Sequence, residues 1–180
     1  MKGLTLTAPY GTLIAIAATH PDLGKHVETR GWTTAYRGTL AIHQAAGLGP
    51  VGGVHGLDAL CKTEPFRSAL CYFGWANDLA YWLPRGKIVA VVDLADCWPT
   101  AGPRGEDGMG PKYADWVHFL TDQERAFGDY TPGRYGWILN RIRALRQPIP
   151  CRGALGLWDV PADVEAQIAT QLQGATHVQP

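Results

Sequence analysis

Lys25, Glu28, Arg30 and Arg37 fall within thirteen residues of one another, with Trp32 and Tyr36 among them, in a chain that is only 18% charged. A Lys held beside a Glu in a partly closed cleft acts as a base or binds an anion, according to how far burial lowers its pKa. The forked guanidinium groups of Arg30 and Arg37 suit a phosphate or a carboxylate. The same four residues would equally make an ion-pair network closing the mouth of a barrel, with Glu28 paired to Arg30 or Arg37. Read as an extended strand, the run sends His26, Glu28 and Arg30 to one face and Val27 and Thr29 to the other. The polar face would then line a pocket while the other packs.

The remaining candidates are weaker. Gly47-Leu48-Gly49-Pro50-Val51-Gly52 matches G-x-G-x-x-G after an expected strand, but a glycine-rich loop is expected to run on to Gly56 instead of a helix N-terminus. Ser68, the only serine, falls inside an expected amphipathic helix without the strained turn a nucleophilic serine needs. Scattered His and Cys show no ligand spacing, so neither a metal nor another cofactor is expected. His43 reads as a polar residue at a strand end. Trp32, Tyr36, Trp98, Tyr135 and Trp137 are candidate stacking surfaces, most of them expected in the core.

These residues need elements to hold them. Leu4 to Thr7 alternates as a strand, and residues 9–18 read as a helix with Leu13, Ile14 and Ala17 on one face. Strands are expected at 25–30 and 37–44 around a loop. A helix starts near Thr63–Pro65, with Phe66, Leu70 and Phe73 at helical spacing. Lys87 to Cys97 is apolar on both faces, which implies a strand buried on both sides, as in a small barrel. Residues 99–112 read as a Gly/Pro-rich loop. Two further strands, 134–145 and 153–158, are expected on either side of a tight turn at Gln147–Pro150. Val160-Pro161 opens a last helix, about 161–173, with Val164, Ile168 and Leu172 four apart. Residues 174–180 read as a tail, and nothing divides the 180 residues into two domains.

Sixteen basic and sixteen acidic residues balance, which argues against coating nucleic acid by bulk charge while leaving room for a local basic cleft. The balance hides an asymmetry: residues 93–129 are rich in Asp and Glu, whereas 130–158 hold Arg134, Arg141, Arg143, Arg146 and Arg152 and no acid. That stretch reads either as a strand with Arg on its wet face or as a phosphate-facing stripe. Cys61, Cys71, Cys97 and Cys151 form no C-x-x-C, and reduced, mostly buried thiols in a cytoplasmic protein are expected. No stretch is long enough to span a membrane.

Lys25-x-x-Glu28-Thr29-Arg30 followed by Tyr36-Arg37-Gly38-x-Leu40-Ala41-Ile42-His43 resembles the signature of the ASCH domain (activating-signal-cointegrator homology) of the PUA-like superfamily. Gly86–Asp93, Phe127–Tyr130, Arg134–Leu139 and Pro148–Trp158 resemble its later blocks in order and spacing, so the likeness runs from Leu4 to Trp158. The resemblance implies an α+β fold, a PUA-like mixed β-barrel of about five to six strands with flanking helices. It also implies recognition of RNA, single-stranded nucleic acid or a modified base beside the Lys25 to Arg30 strand. Lys25, Arg30, Trp32, Tyr36, Arg37, His43, Arg134 and Tyr135 would then contact the ligand. Some small family members are amidohydrolases that deacylate N4-acylated cytidine with a Lys, a Thr three residues on and a distal Glu, and another is described as a ribonuclease. In such a metal-independent enzyme Lys25 would be the base, Thr29 or a water the nucleophile, and Glu28 or Asp93 the proton shuttle. Glu28 stands where those amidohydrolases carry Thr, and Asp93 or Asp96 would have to replace the distal Glu.

Overall fold

The computed structural model describes residues 1–49, 52–71, 79–101 and 114–174. Six strands form one mixed sheet: β1 (Lys2–Leu6), β2 (Val27–Arg30), β3 (Gly38–Gln44), β4 (Lys87–Pro99), β5 (Tyr135–Pro150) and β6 (Leu157–Asp159). Their order across the sheet is β2-β5-β4-β3-β1-β6. Only β1 and β3 pair in parallel, with Leu4 opposite Ile42; the other neighbours are antiparallel. The sheet curls into a half-barrel because β4 and β5 are long and their register slips three times along the shared edge. Two of the slips put one extra residue on a strand and the third, opposite Ile88–Ala90, puts three on β5, and such insertions bend the strand. At one of them Arg141 adopts a left-handed conformation, φ 47°. The fold is therefore the expected α+β half-barrel with flanking helices.

Apolar residues on both faces of β4 divide the core. Val92 and Leu94 join Leu4, Leu6, Leu40, Ile42 and Trp137 on the concave side, under α1 (Tyr10–Ile16) through Ile14. Ile88 and Val91 pack with Leu145 and Ile149 against α6 (Ala162–Gly174), which presents Val164 and Ile168 as its period requires. A third cluster fills the space between α1, α2 (Gly53–Cys61) and α3 (Phe66–Cys71), and Phe127 closes it. Two short helices complete the described part, α4 (Leu79–Trp82) and α5 (Asp122–Ala126), with a 3-10 turn at Ala114–Phe119. None of these helices is long and apolar enough to cross a membrane.

Two local expectations need correction. The Gln147–Pro150 turn is absent: β5 runs through both prolines, and of the expected 153–158 strand only Leu157 and Trp158 are extended, in β6. Beyond Ile138, β5 has β4 alone as a neighbour, so a proline facing the open side breaks no ladder bond. The glycine-rich loop also ends early, because α2 begins at Gly53. A helix therefore does follow the glycine run, whose residues 50 and 51 lie outside the described part. The dinucleotide fold still fails, since β3 and β4 are antiparallel and make no β-α-β unit. Most of the 99–112 loop, Phe73 and residues 175–180 also lie outside the described residues.

The turn before β2 is set by contact. A Cβ on Gly24 would stand 2.3 Å from the Cα of Ala17 and 2.4 Å from its nitrogen, backbone atoms that have no room to yield. This approach lets the Lys25 N–H reach the Leu13 carbonyl in the middle of α1. Gly24→Ala is expected to lower stability by about 3 kcal/mol, the upper end for overpacking, in chemical denaturation; Gly31→Ala, with open space around it, is the control.

Candidate functional site

Lys25 sits just ahead of β2 with a side chain only 1% exposed. Its ammonium donates to the Phe127 carbonyl at 2.6 Å, lies 3.7 Å from Glu28 Oε2 and hangs 5.8 Å from the centre of the Tyr10 ring. Burial pulls its pKa down, and the carboxylates of Glu28 and Glu124 oppose that pull. Glu28, also buried, faces Arg30 on its other side, with Nε 3.3 Å from Oε1. Arg30 uses one Nη to donate to the Thr5 carbonyl of β1, across the mouth of the half-barrel. The chain of charges thus runs Lys25, Glu28, Arg30, from the core outward.

A second carboxylate, which sequence reasoning passed over, fixes this chain in place. Glu124 is buried and accepts from two successive backbone N–H groups, His26 at 2.8 Å and Val27 at 3.1 Å. Thr121 caps α5 by accepting from the Glu124 N–H, so Thr121-x-x-Glu124 carries a capping-box signature. That signature points the Glu back to its own helix start. Here it reaches instead to the strand entering the site, which only the tertiary structure determines. Tyr130 lies beside Glu124, and burial together with the two carboxylates pushes its hydroxyl well above the ordinary range.

Glu28, Thr29, Arg30 and Trp32 line a cleft of about 750 Å³ between β1, β2, the 126–129 turn and the 154–156 loop. Such a volume lies within the range of small-molecule sites. Thr29 was expected on the opposite face, yet it borders the cleft and its hydroxyl accepts from the Asp129 N–H. Arg134 enters from the start of β5 and donates to the Asp129 and Thr29 carbonyls. Trp32 is 38% exposed at the rim, edge-on to the buried Trp137. Tyr10 and Thr7 complete the polar lining, and burial followed by the Glu28 charge raises the Tyr10 pKa.

The other expected site residues lie elsewhere. His26 precedes the strand and contacts the Pro21 carbonyl, so it does not share the Glu28 face. Arg37 pairs with Asp96 and donates to the Thr34 and Tyr36 carbonyls, away from Glu28. Burial raises the Asp96 pKa, but the Cys97 N–H, the Trp98 indole and Arg37 outweigh it and leave the carboxyl low. Tyr36 donates to the Thr39 carbonyl, and Tyr135 packs half-buried against the core. Asp93 is not in the cleft: it lies on the face of β4 away from Val92 and Leu94, near Thr39, Arg141 and Arg143. Strand alternation therefore removes it from any partnership with Lys25. The Arg-rich stretch of β5 is a wet face, with Arg141, Arg143 and Arg146 exposed.

His43 lines a smaller cavity of about 330 Å³, together with Ala46, Gly86, Cys151, Arg152 and Gly153. Its ring is 2% exposed and Nε2 sits 3.0 Å from the Cys151 carbonyl, which makes Nε2 the protonated nitrogen; Nδ1 is buried without a hydrogen-bond partner. Burial lowers its pKa, with the Cys151 carbonyl opposing. All four Cys are free thiols, of which Cys61 alone is fully buried, so the expectation of mostly buried thiols holds for one. Among the described residues no cluster of His, Cys, Asp and Glu could hold a metal ion. The chain matches no protein-family model and resembles no curated protein.

Two outcomes follow from these geometries. Lys25→Met leaves Glu28 buried with one cation instead of two and is expected to cost about 3 kcal/mol or more in denaturant unfolding, while Lys25→Met/Glu28→Gln recovers part of the loss. An uncoupled double mutant would show that the pair is not structural. For His43 the folded pKa lies below the unfolded value, so the unfolded chain binds more protons once the pH falls below about 6.5. The wild type should lose stability progressively from that pH downward, and His43→Gln should flatten the dependence in urea titrations between pH 7.5 and 5.

Proposed function

We propose that this protein binds a nucleobase, presented by a nucleotide or by single-stranded nucleic acid, in the cleft bordered by Glu28, Arg30, Trp32 and Arg134. The observation that carries the reading is the placement of Glu28. It is a buried carboxyl group with a cation on either side, and it lines the cleft. A fixed acceptor of this kind suits the exocyclic amino and ring N–H groups of a base, as the acidic side chains that read cytosine do. Trp32 supplies an aromatic face at the rim, the usual platform for an unstacked base. Arg30 and Arg134 are held by backbone carbonyls, which orients their guanidinium groups for a phosphate or a base edge. The resemblance to the ASCH domain supports the same ligand class.

The hydrolase reading rests on Lys25 acting as a base at the substrate. In this geometry Lys25 does not line the cleft, and its ammonium is engaged by Phe127 and Glu28. Lys25 accordingly serves as a positioning residue that holds Glu28 in place at the cleft wall. The test is a panel of nucleoside monophosphates, short single-stranded RNA and DNA, and N4-acylated cytidines, assayed for binding by calorimetry and for turnover by chromatography. Binding should weaken as salt rises, and Trp32→Ala should cost about 1–3 kcal/mol. Salt-insensitive or absent binding across the panel would overturn the reading. Turnover of an acylated cytidine that disappears in Lys25→Ala would replace it with the hydrolase.

A further inference from the structure

We infer that the site is bipartite, and that its ligand is a stretch of single-stranded nucleic acid engaging it through at least two consecutive nucleotides. This inference rests on the proposed base-binding role of the main cleft. The cleft and the His43 cavity are not separate features: Thr5, Ala45, Ala154 and Leu155 line both. The wall between them is the loop after β5, and Leu155 stands on it with a side chain 99% exposed. A fully exposed leucine at the junction of two cavities offers each an apolar face, and it has no packing role in the folded chain that would account for it.

The second cavity matches the chemistry of the neighbouring nucleotide. Its volume of about 330 Å³ is at the lower end for ligand pockets, and its walls of Ala45, Ala46, Gly86 and Gly153 leave room for a flat ring. At its edge lies Arg152, exposed, with a guanidinium that makes no ion pair or hydrogen bond with any described residue. Arg30 and Arg134 line the main cleft, whereas Arg152 is the one cation among the residues lining the second cavity, placed to meet the phosphate that links one base to the next. Close approach is built in on this side. A Cβ on Gly153 would come within 2.5 Å of both the His43 ring and the Thr5 hydroxyl, so only glycine lets the loop seat against the floor. His43 Nδ1, the buried acceptor without a partner, is part of that floor.

The experiment compares a nucleoside monophosphate with the matching ribo- and deoxyribo-dinucleotides and trinucleotides, by calorimetry at one fixed salt concentration. The dinucleotide should bind about tenfold more tightly than the mononucleotide, the scale of one added stacked base. That advantage should disappear in Arg152→Ala and in Ala46→Trp, which fills the second cavity from an exposed position. Circular dichroism confirms that each variant is folded. Equal affinity for mono- and dinucleotide overturns the bipartite site and leaves the single-base reading standing. An advantage that survives both variants places the second contact outside this cavity and also overturns it. Binding of neither ligand overturns both readings together.

Discussion

Everything at the mouth of this half-barrel depends on keeping an ammonium out of water. Taking the Lys25 side chain to 1% exposure is costly unless the charge is compensated and hydrogen-bonded. The Phe127 carbonyl, 102 residues from Lys25, and the Glu28 carboxylate, three residues from it, do this together, and each is thereby located. Phe127 in turn closes the cluster between α1, α2 and α3. Glu28 holds Arg30, which ties β2 to the β1 carbonyl at Thr5. One buried cation thus couples the helical layer to the edge of the sheet.

The two carboxylates near Lys25 divide the labour. Glu124 accepts from backbone N–H groups and is concerned with where β2 enters. Glu28 accepts no hydrogen bond from the backbone of the described residues and lines the cleft. A ligand that displaced Arg30 slightly would leave Glu28 still balanced by Lys25. The arrangement therefore tolerates adjustment at the outer guanidinium while the inner pair stays fixed.

How much of this could be read from the chain depended on whether the signal was local. The buried β4 strand, the α6 face with Val164 and Ile168, and the grouping of Lys25, Glu28 and Arg30 were legible because period and spacing carry them. The fate of Arg37 was not, since Asp96, fifty-nine residues away, competes for it. Asp93 looked available as an acid until strand alternation turned it from the cleft. Pro148 and Pro150 suggested a turn because a sequence does not reveal which strand lies at an open edge. Glu124 went unremarked as a site residue for the same reason: it acquires its place from segments that approach only in three dimensions.

The walls of the cleft come from two separated stretches of the chain, residues 4–45 and 126–156. Residues 4–45 contribute ten of its eighteen lining residues and 126–156 the other eight. The β1 strand that contributes the first wall is itself flanked by β3 and by β6, which lies more than 110 residues further along. A ligand seated there would bridge these two stretches and would favour the folded form over forms in which they have come apart. Occupancy of the cleft is therefore a measure of the integrity of the whole molecule, and a bound ligand would act on this protein as a crosslink does, without a covalent bond.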